Sequence, residues 1–411
     1  MRSSESSTSQ QRVEAGINAF ERARGLSARV ARHPLLTDSA QLPVHYRWIG
    51  QCARVMRRGV GTSLATISQL EREIHQQPQT IDRLLVEGRA SVEEVARQIR
   101  AAAPRSILIA ARGTSDNAAR YATYLFGAHN RLNTGLAAPS LFTIYHAAPH
   151  LSETLVIGIS QSGQSPDIVA VLEEANHQGA LTIAITNDSA SPLAQAAAHT
   201  LEIRAGEERA VAATKTYTAE LVTLAMLSAA LEDDGERWQT LAELPHLLDE
   251  TLRLNQHVAA VAERLRMAEQ FVVIGRGFNY STAFEIALKI KETCYVVAEP
   301  YSSADFRHGP IALIHSGFPV ILLAPSGAVD QDIDMLLDLL TARAADVVAI
   351  TDRQSVRGRA SASLPLPSGV PEWLSPVVAV VPGQLLALAS ATVRGIDPDH
   401  PRGLSKVTRT N

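Results

Sequence analysis

The stretch LVIGISQSGQSPDIVAVLEEANH, residues 155–177, decides the fold. Residues 155–159 are apolar without alternation, as expected of a strand covered on both faces. Six small polar residues follow, Ser160-Gln161-Ser162-Gly163-Gln164-Ser165, and Pro166 and Asp167 then open a segment with helical periodicity. Ser at the N-cap, Pro in the first turn and an acid beside it all suit a helix start, where amides lack partners and the dipole is positive. Strand, short loop and helix together predict one βαβ unit of a parallel sheet. Working outward, the same reading predicts strands over 106–111, 155–160, 181–186 and 200–204, and helices over 117–128, 166–177 and 214–231.

The pattern occurs twice. Gly113 and Gly277, each after an apolar run, lie 164 residues apart, and so do Ser162-Gly163 and Ser326-Gly327. Ala184-Ile185-Thr186 returns as Ala349-Ile350-Thr351 at an offset of 165. Landmarks that hold one register argue for two copies of a doubly wound α/β unit.

Composition sets the outer bounds. The chain has 411 residues, enough for two or three domains at roughly 150 residues each. With 46% hydrophobic and 19% charged residues it is neither disordered nor a coiled coil. A net charge of −4 offers no basic field for nucleic acid. Two cysteines, Cys52 and Cys294, cannot build a disulfide framework or a multi-thiolate metal site, and a reducing cytoplasm is expected. Residues 1–60 show no signal-peptide apolar region, and Met56-Arg57-Arg58-Gly59 is read as an internal start that leaves an extension outside the fold. No membrane span is expected, because the apolar stretch 377–393 is interrupted by Pro382, Gly383 and Gln384.

One bias stands out. Of 38 Lys and Arg residues only four are lysine: Lys215, Lys289, Lys291 and Lys406. A chain that uses Arg as its generic cation keeps Lys where a compact ammonium, a tunable amine or a Schiff base is needed, or by coincidence.

Ligands of open parallel sheets bind at the carboxyl ends of strands. Two polar loops sit there in the first copy, Gly113-Thr114-Ser115 and the Ser160–Ser165 run. Hydroxyls and amides at a helix start make a phosphate cradle without Lys or Arg; ordinary Ser/Gly turns have the same composition. The second copy carries Pro325-Ser326-Gly327-Ala328 instead, which places the phosphate in the first half. Titratable groups gather in the second copy. In a helix over 281–293, Glu285, Lys289 and Glu292 share one face, with Lys291 on another. Phe284, Ile286, Ala287, Leu288 and Ile290 make this helix apolar nearly all round, so the charges are expected to be paired and shifted. His308, before Gly309-Pro310, is a candidate acid or base near neutral pH.

These residues carry a resemblance. The loops at 113–115 and 160–165, RAGEERAVAATK (204–215), GRGFNYSTAFEIALKIKETCYVVAE (275–299), RHGP (307–310) and PRGLSKV (401–407) resemble the sugar isomerase (SIS) family, and within it the isomerase portion of glucosamine-6-phosphate synthases. The resemblance implies two tandem subdomains, each a parallel five-stranded sheet flanked by helices, over 61–235 and 236–395. A tail over 396–411 would then reach the active site. By the same resemblance Thr114, Ser115, Ser160, Gln161, Ser162 and Ser165 bind the sugar phosphate and nearby hydroxyls, and Val211 adds backbone contacts. Glu292 moves a proton between C1 and C2, with Lys289 and Glu285 supporting the relay. His308 opens the sugar ring, supplied in the family by a neighbouring subunit, and Lys406 forms a Schiff base with the open ketose. A homodimer with a shared active site is implied. Neither metal nor cofactor is expected, since a base, an acid and an iminium suffice.

Departures bear on the activity. Position 2 is Arg2 and residues 1–60 are too short for the synthase's glutaminase domain, which points to the glutaminase-free branch. The run Ser302-Ser303-Ala304-Asp305-Phe306-Arg307-His308 also differs from the synthase's, and Ala213 replaces a synthase Ser. The expected activity is therefore that of a glucosamine-6-phosphate deaminase/isomerase, giving fructose 6-phosphate and ammonia. The alternatives are a galactosamine-6-phosphate deaminase or ketose/aldose isomerase, a fructosamine-6-phosphate deglycase, a synthase-like aminotransferase, and, outside enzymes, a sugar-phosphate sensor.

Overall fold

The computed structural model describes residues 67–406. The extension expected over 1–60, with Cys52 and the start expected at Met56, lies outside the described residues, as do tail residues 407–411.

Two parallel five-stranded sheets form the frame. The first has the order β2-β1-β3-β4-β5, from β1 (Ser106–Ala110), β2 (Asn133–Leu136), β3 (Thr154–Ile159), β4 (Thr182–Thr186) and β5 (His199–Glu202). The second repeats it as β7-β6-β8-β9-β10, from β6 (Gln270–Gly275), β7 (Val297–Ser302), β8 (Pro319–Leu323), β9 (Asp346–Thr351) and β10 (Ala362–Pro365). The offset read from the sequence is thus an offset in topology. Every residue of β4 is buried, which explains its unbroken apolar-and-threonine composition.

The longer helices are α1 (Gln77–Ala102), α2 (Gly113–Asn130), α3 (Pro166–His177), α4 (Lys215–Leu231), α5 (Asn279–Cys294), α6 (Asp330–Ala342) and α7 (Ser375–Val393). Helices α2 and α5 follow the first strand of each sheet, and they pack on one another, α2 also on α4 and α5 also on α7. This packing gives the two halves one core, in which Tyr121, Phe126, Ile157 and Leu224 join Ile286, Ile290, Val378 and Leu386. Each sheet keeps a smaller cluster on its other face, around Ile168, Leu172 and Leu193 in the first and Phe306, Leu322 and Leu336 in the second. The α2–α5 contact is what brings the second half's charged helix face to the first half's loops.

Two expectations are corrected. The loop at 113–115 is the first turn of α2, four residues ahead of the predicted start at 117. The stretch 377–393 is not interrupted: α7 runs continuously through Pro382. The supposed breakers serve packing. A Cβ on Gly383 would stand 2.3 Å from Ile286 Cδ1, so glycine lets α7 approach α5. Buried Gln384 accepts a 2.9 Å hydrogen bond from Gln77 Nε2. Among the described residues one helical stretch, Glu372–Val393, is long and apolar enough to cross a membrane, and 83% of its apolar window is buried inside the protein. Its uniform apolarity is that of a central core helix.

Candidate active site

A cavity of about 310 Å³ opens where the carboxyl ends of β1 and β3 meet the N-termini of α2 and α3. Gly113, Thr114 and Ser115 line it from the first turn of α2, and Ser160, Gln161, Ser162 and Ser165 from the β3–α3 loop. The loop is held open by its own geometry. Gly163 adopts φ +61°, and a Cβ there would fall 2.1 Å from Ser191 Oγ, so no other residue fits. Ser160 Oγ accepts from Gly163 N at 3.2 Å, and Ser162 Oγ accepts from Gln164 N at 3.3 Å. Hydroxyls that accept from the backbone keep their hydrogens for a ligand. Ser165 occupies the N-cap with extended backbone, but its hydroxyl makes no capping bond, contrary to the simple cap reading. Two helix N-termini therefore converge on one hydroxyl-lined space, the arrangement that favours a phosphate. The cradle does hold an arginine, which the sequence reading left out: Arg112 lines the rim and pairs at 2.8 Å with buried Asp167.

The charged face of α5 forms the neighbouring wall. Lys289 and Glu285 are buried, with Lys289 Nζ 3.3 Å from Glu285 Oε1 and 2.7 Å from Glu292 Oε2. Glu285 also accepts from Thr114 Oγ1 at 3.1 Å and Asn117 Nδ2 at 2.8 Å, and Lys289 Nζ donates to Thr114 Oγ1 at 3.2 Å. Burial works against the Lys289 ammonium, yet Glu285 and Glu292 outweigh it and raise its pKa above the ordinary lysine value. Burial also pushes the Glu285 carboxyl up, and Lys289 only partly offsets that. Of the three, only Glu292 lines the cavity. Glu285 and Lys289 stand behind it and fix it. Lys291 is exposed on the far side of the helix, as read.

The tail closes the opposite side. Asp399 accepts from the backbone amides of Gln69 and Leu70 at 2.7 and 2.9 Å. Arg402 lies over the Tyr295 ring at 4.2 Å, and its amide donates to the Tyr295 hydroxyl at 2.8 Å. So anchored, the tail carries Leu404, Ser405 and Lys406 to the cavity. Lys406 Nζ donates to Glu208 Oε2 at 2.6 Å. Glu208 is buried in the loop before α4, and its side chain also accepts from the amides of Thr214 and Thr216 at the helix start, at 3.0 and 3.1 Å. Burial opposes its charge, but Lys406 and those amides outweigh burial and hold its carboxyl below the usual range.

The cavity thus gathers Thr114, Ser115, Ser160, Gln161, Ser162, Ser165, Val211, Glu292 and Lys406. It does not gather His308, which is exposed at the end of the short helix Ser303–Arg307 and outside the cavity lining. Nor does it gather Lys215, whose buried ammonium donates to Gln76 Oε1 at 2.9 Å and to the Glu207 carbonyl at 2.6 Å. Ala213 lines the cavity where the resemblance expects a serine. Sequence reading missed Glu208, which buried side chains alone reveal, and Glu220 on α4. The latter had a usable signal: a single charged residue in the otherwise uncharged run 219–231. Among the described residues no group of three or more His, Cys, Asp or Glu side chains is placed to hold a metal ion.

The glutamine–fructose-6-phosphate aminotransferase (isomerizing) of Thermococcus kodakarensis is 36% identical over 344 residues, covering 82% of this chain and 57% of that protein. The Thermus thermophilus aminotransferase of the same name is also 36% identical, over 82% of this chain and 58% of its own. The chain therefore spans little more than half the length of these relatives. Among solved structures, a candidate phosphosugar isomerase from Silicibacter pomeroyi superposes with a TM-score of 0.74 at 36% identity, covering 81% of this chain and 100% of that one. The C-terminal domain of the Francisella tularensis glucosamine-fructose-6-phosphate aminotransferase gives 0.74 at 27% identity, over 83% and 100%. The SIS domain matches twice, over residues 102–230 and 264–394, one match to each sheet. The chain belongs to the SIS domain family, carries two copies of that domain, and is similar to the isomerase part of the aminotransferases.

Proposed function

We propose that the protein is an aldose–ketose isomerase of 6-phosphorylated hexoses and amino sugars, working between fructose 6-phosphate and glucosamine 6-phosphate. The observation that carries the reading is the cavity in which a hydroxyl-lined double helix N-terminus faces the carboxyl group of Glu292 and the amine of Lys406. A phosphate takes the cradle, and the rest of an open sugar extends toward α5. Lys406 condenses with the ketose carbonyl with loss of water, and ammonia displaces the lysine amine to leave the sugar imine. The 2.6 Å contact supports Glu208 as the group that holds the Lys406 nitrogen at the cavity and stabilises the positive charge of the iminium. Glu292 then takes a proton from C1 and delivers it to C2 through a cis-enolamine, while buried Lys289 fixes the position of its carboxylate. His308 reaches a site only from a second copy, which makes a homodimer part of the proposal.

The similarity to aminotransferases shifts the favoured direction from deamination, expected on sequence, to amination of fructose 6-phosphate. A Thermotoga maritima glucosamine-6-phosphate deaminase superposes at a TM-score of 0.70, but at 24% identity it supports the fold alone. The test is to incubate the protein in D2O with fructose 6-phosphate plus ammonium, and separately with glucosamine 6-phosphate. Deuterium at C2 of the amino sugar is expected, with the first reaction yielding glucosamine 6-phosphate. Ammonia release alone returns the reading to a deaminase. Tight binding without exchange makes the protein a sugar-phosphate sensor instead.

A further inference from the structure

Helix α4 lies beneath the phosphate cradle and presents one carboxyl group to it. Glu220 lines the cavity, yet it is only 1% exposed. Its Oε1 lies 2.8 Å from Ser115 Oγ, and among the described residues its Oε2 has no hydrogen-bond partner and no cation pairs with it. As a carboxylate it would bury a charged oxygen without a partner, which costs far more than burying the neutral acid. It would also take the Ser115 hydrogen and leave only lone pairs facing a phosphate dianion. As the acid, the same 2.8 Å contact runs the other way.

We propose that Glu220 is a positioning residue for the bound phosphate: its carboxyl O–H donates to Ser115 Oγ, so that the Ser115 hydroxyl aims its own hydrogen at the ligand. The inference rests on the sugar-phosphate reading above and assigns that site a pH limit which its charged neighbours alone would not set. Those neighbours are Glu208 and Lys406, paired with each other beside the cavity, Glu285 and Lys289 from α5, Glu292 on the cavity wall, and buried Tyr217 on α4 itself. Burial, reinforced by Glu208 and Glu285, pushes the Glu220 carboxyl up to about 8, with Ser115 and Lys406 only partly offsetting it. Below that pH Ser115 is a donor; above it, a carboxylate under the cradle repels the dianion. A sugar phosphate is already fully ionised there, since its second pKa is about 6, so the ligand's own titration does not produce the effect.

The test is calorimetric titration of the full chain with fructose 6-phosphate, and with inorganic phosphate, between pH 6.5 and 9.5. Wild type should lose affinity about tenfold per pH unit above about 8, with uptake of close to one proton on binding, as expected for one linked group. Glu220→Gln supplies a permanent N–H donor to Ser115, and its affinity should stay flat over the same range. An equal slope in Glu220→Gln would assign the titration to another group, such as Lys406, and overturn the proposal. So would a flat wild-type profile. Should Glu220→Gln not unfold cooperatively, the proton uptake of wild type, measured in buffers of different ionisation heat, decides alone. Failure of fructose 6-phosphate to bind wild type at any pH overturns the sugar-phosphate reading, and this inference with it.

Discussion

The two halves of the molecule share a strand order and differ in what lies on their corresponding loops. In the first half, Ser160, Gln161, Ser162 and Ser165 of the corresponding run line an open cavity. In the second, the run Pro325-Ser326-Gly327-Ala328 is covered by the protein's own carboxylates. Ala328 N donates to Glu372 Oε2 at 2.8 Å, Gly327 N to Asp330 Oδ1 at 3.0 Å, and Ser326 N and Oγ to Asp352 at 2.8 and 2.7 Å. A Cβ on Gly327 would stand 2.4 Å from Glu372 Cδ, so the covering group sits tight against the backbone. The comparison teaches that a strand end followed by a helix start attracts an anion wherever it occurs. In one half that anion is built in. In the other the space is left for a ligand, and the charged face of the second half's α5 is brought to it.

This contrast can be broken or sharpened by substitution. The largest effect is expected on chemistry. Glu292→Gln should slow deuterium exchange at C2 by about 10²–10⁴-fold, the usual worth of a positioned general base, with hexose phosphate affinity little changed. Retained exchange would remove Glu292 from the proton transfer. Next comes the cradle itself. Ser162→Ala should weaken fructose 6-phosphate binding by roughly tenfold or more, the loss of one hydrogen bond to a charged group. The matched change Ser326→Ala should leave affinity alone; equal losses by calorimetry would erase the distinction between the halves. The smallest effect concerns the covered loop. Glu372→Ala should lower unfolding free energy by about 1–3 kcal/mol, one charge-assisted hydrogen bond, without changing a stoichiometry of one hexose phosphate per chain. A second equivalent appearing in that variant would show the covered loop to be a working cradle once uncovered.

Much of this frame is legible in the sequence, because it rests on local chemistry. The run 155–177 specifies strand, loop and helix start within one stretch, and the 164-residue offset carries that reading to the second half. The shared face of Glu285, Lys289 and Glu292 follows from helical spacing alone. What was not legible depends on tertiary contact. Pro382 and Gly383 read as breakers, yet the neighbouring α5 requires the close approach that Gly383 permits. Glu208 looks like one more acid of a polar loop until Lys406, 198 residues later, is brought to 2.6 Å. Arg112 gives no sign in sequence of lining the cradle, because its partner Asp167 belongs to a different βα unit. The substitution of Ala213 for a serine was visible, but nothing in the structure explains it.

The central claim is that one half holds the phosphate and the other half cannot. The most direct test is a crystal structure of the protein with fructose 6-phosphate bound. The account predicts one phosphate per chain, within hydrogen-bond distance of Ser115, Ser160, Ser162 and Ser165, with the sugar carbon chain directed toward Glu292 and Lys406. A phosphate at residues 326–328 instead, with Glu372 displaced, would contradict it.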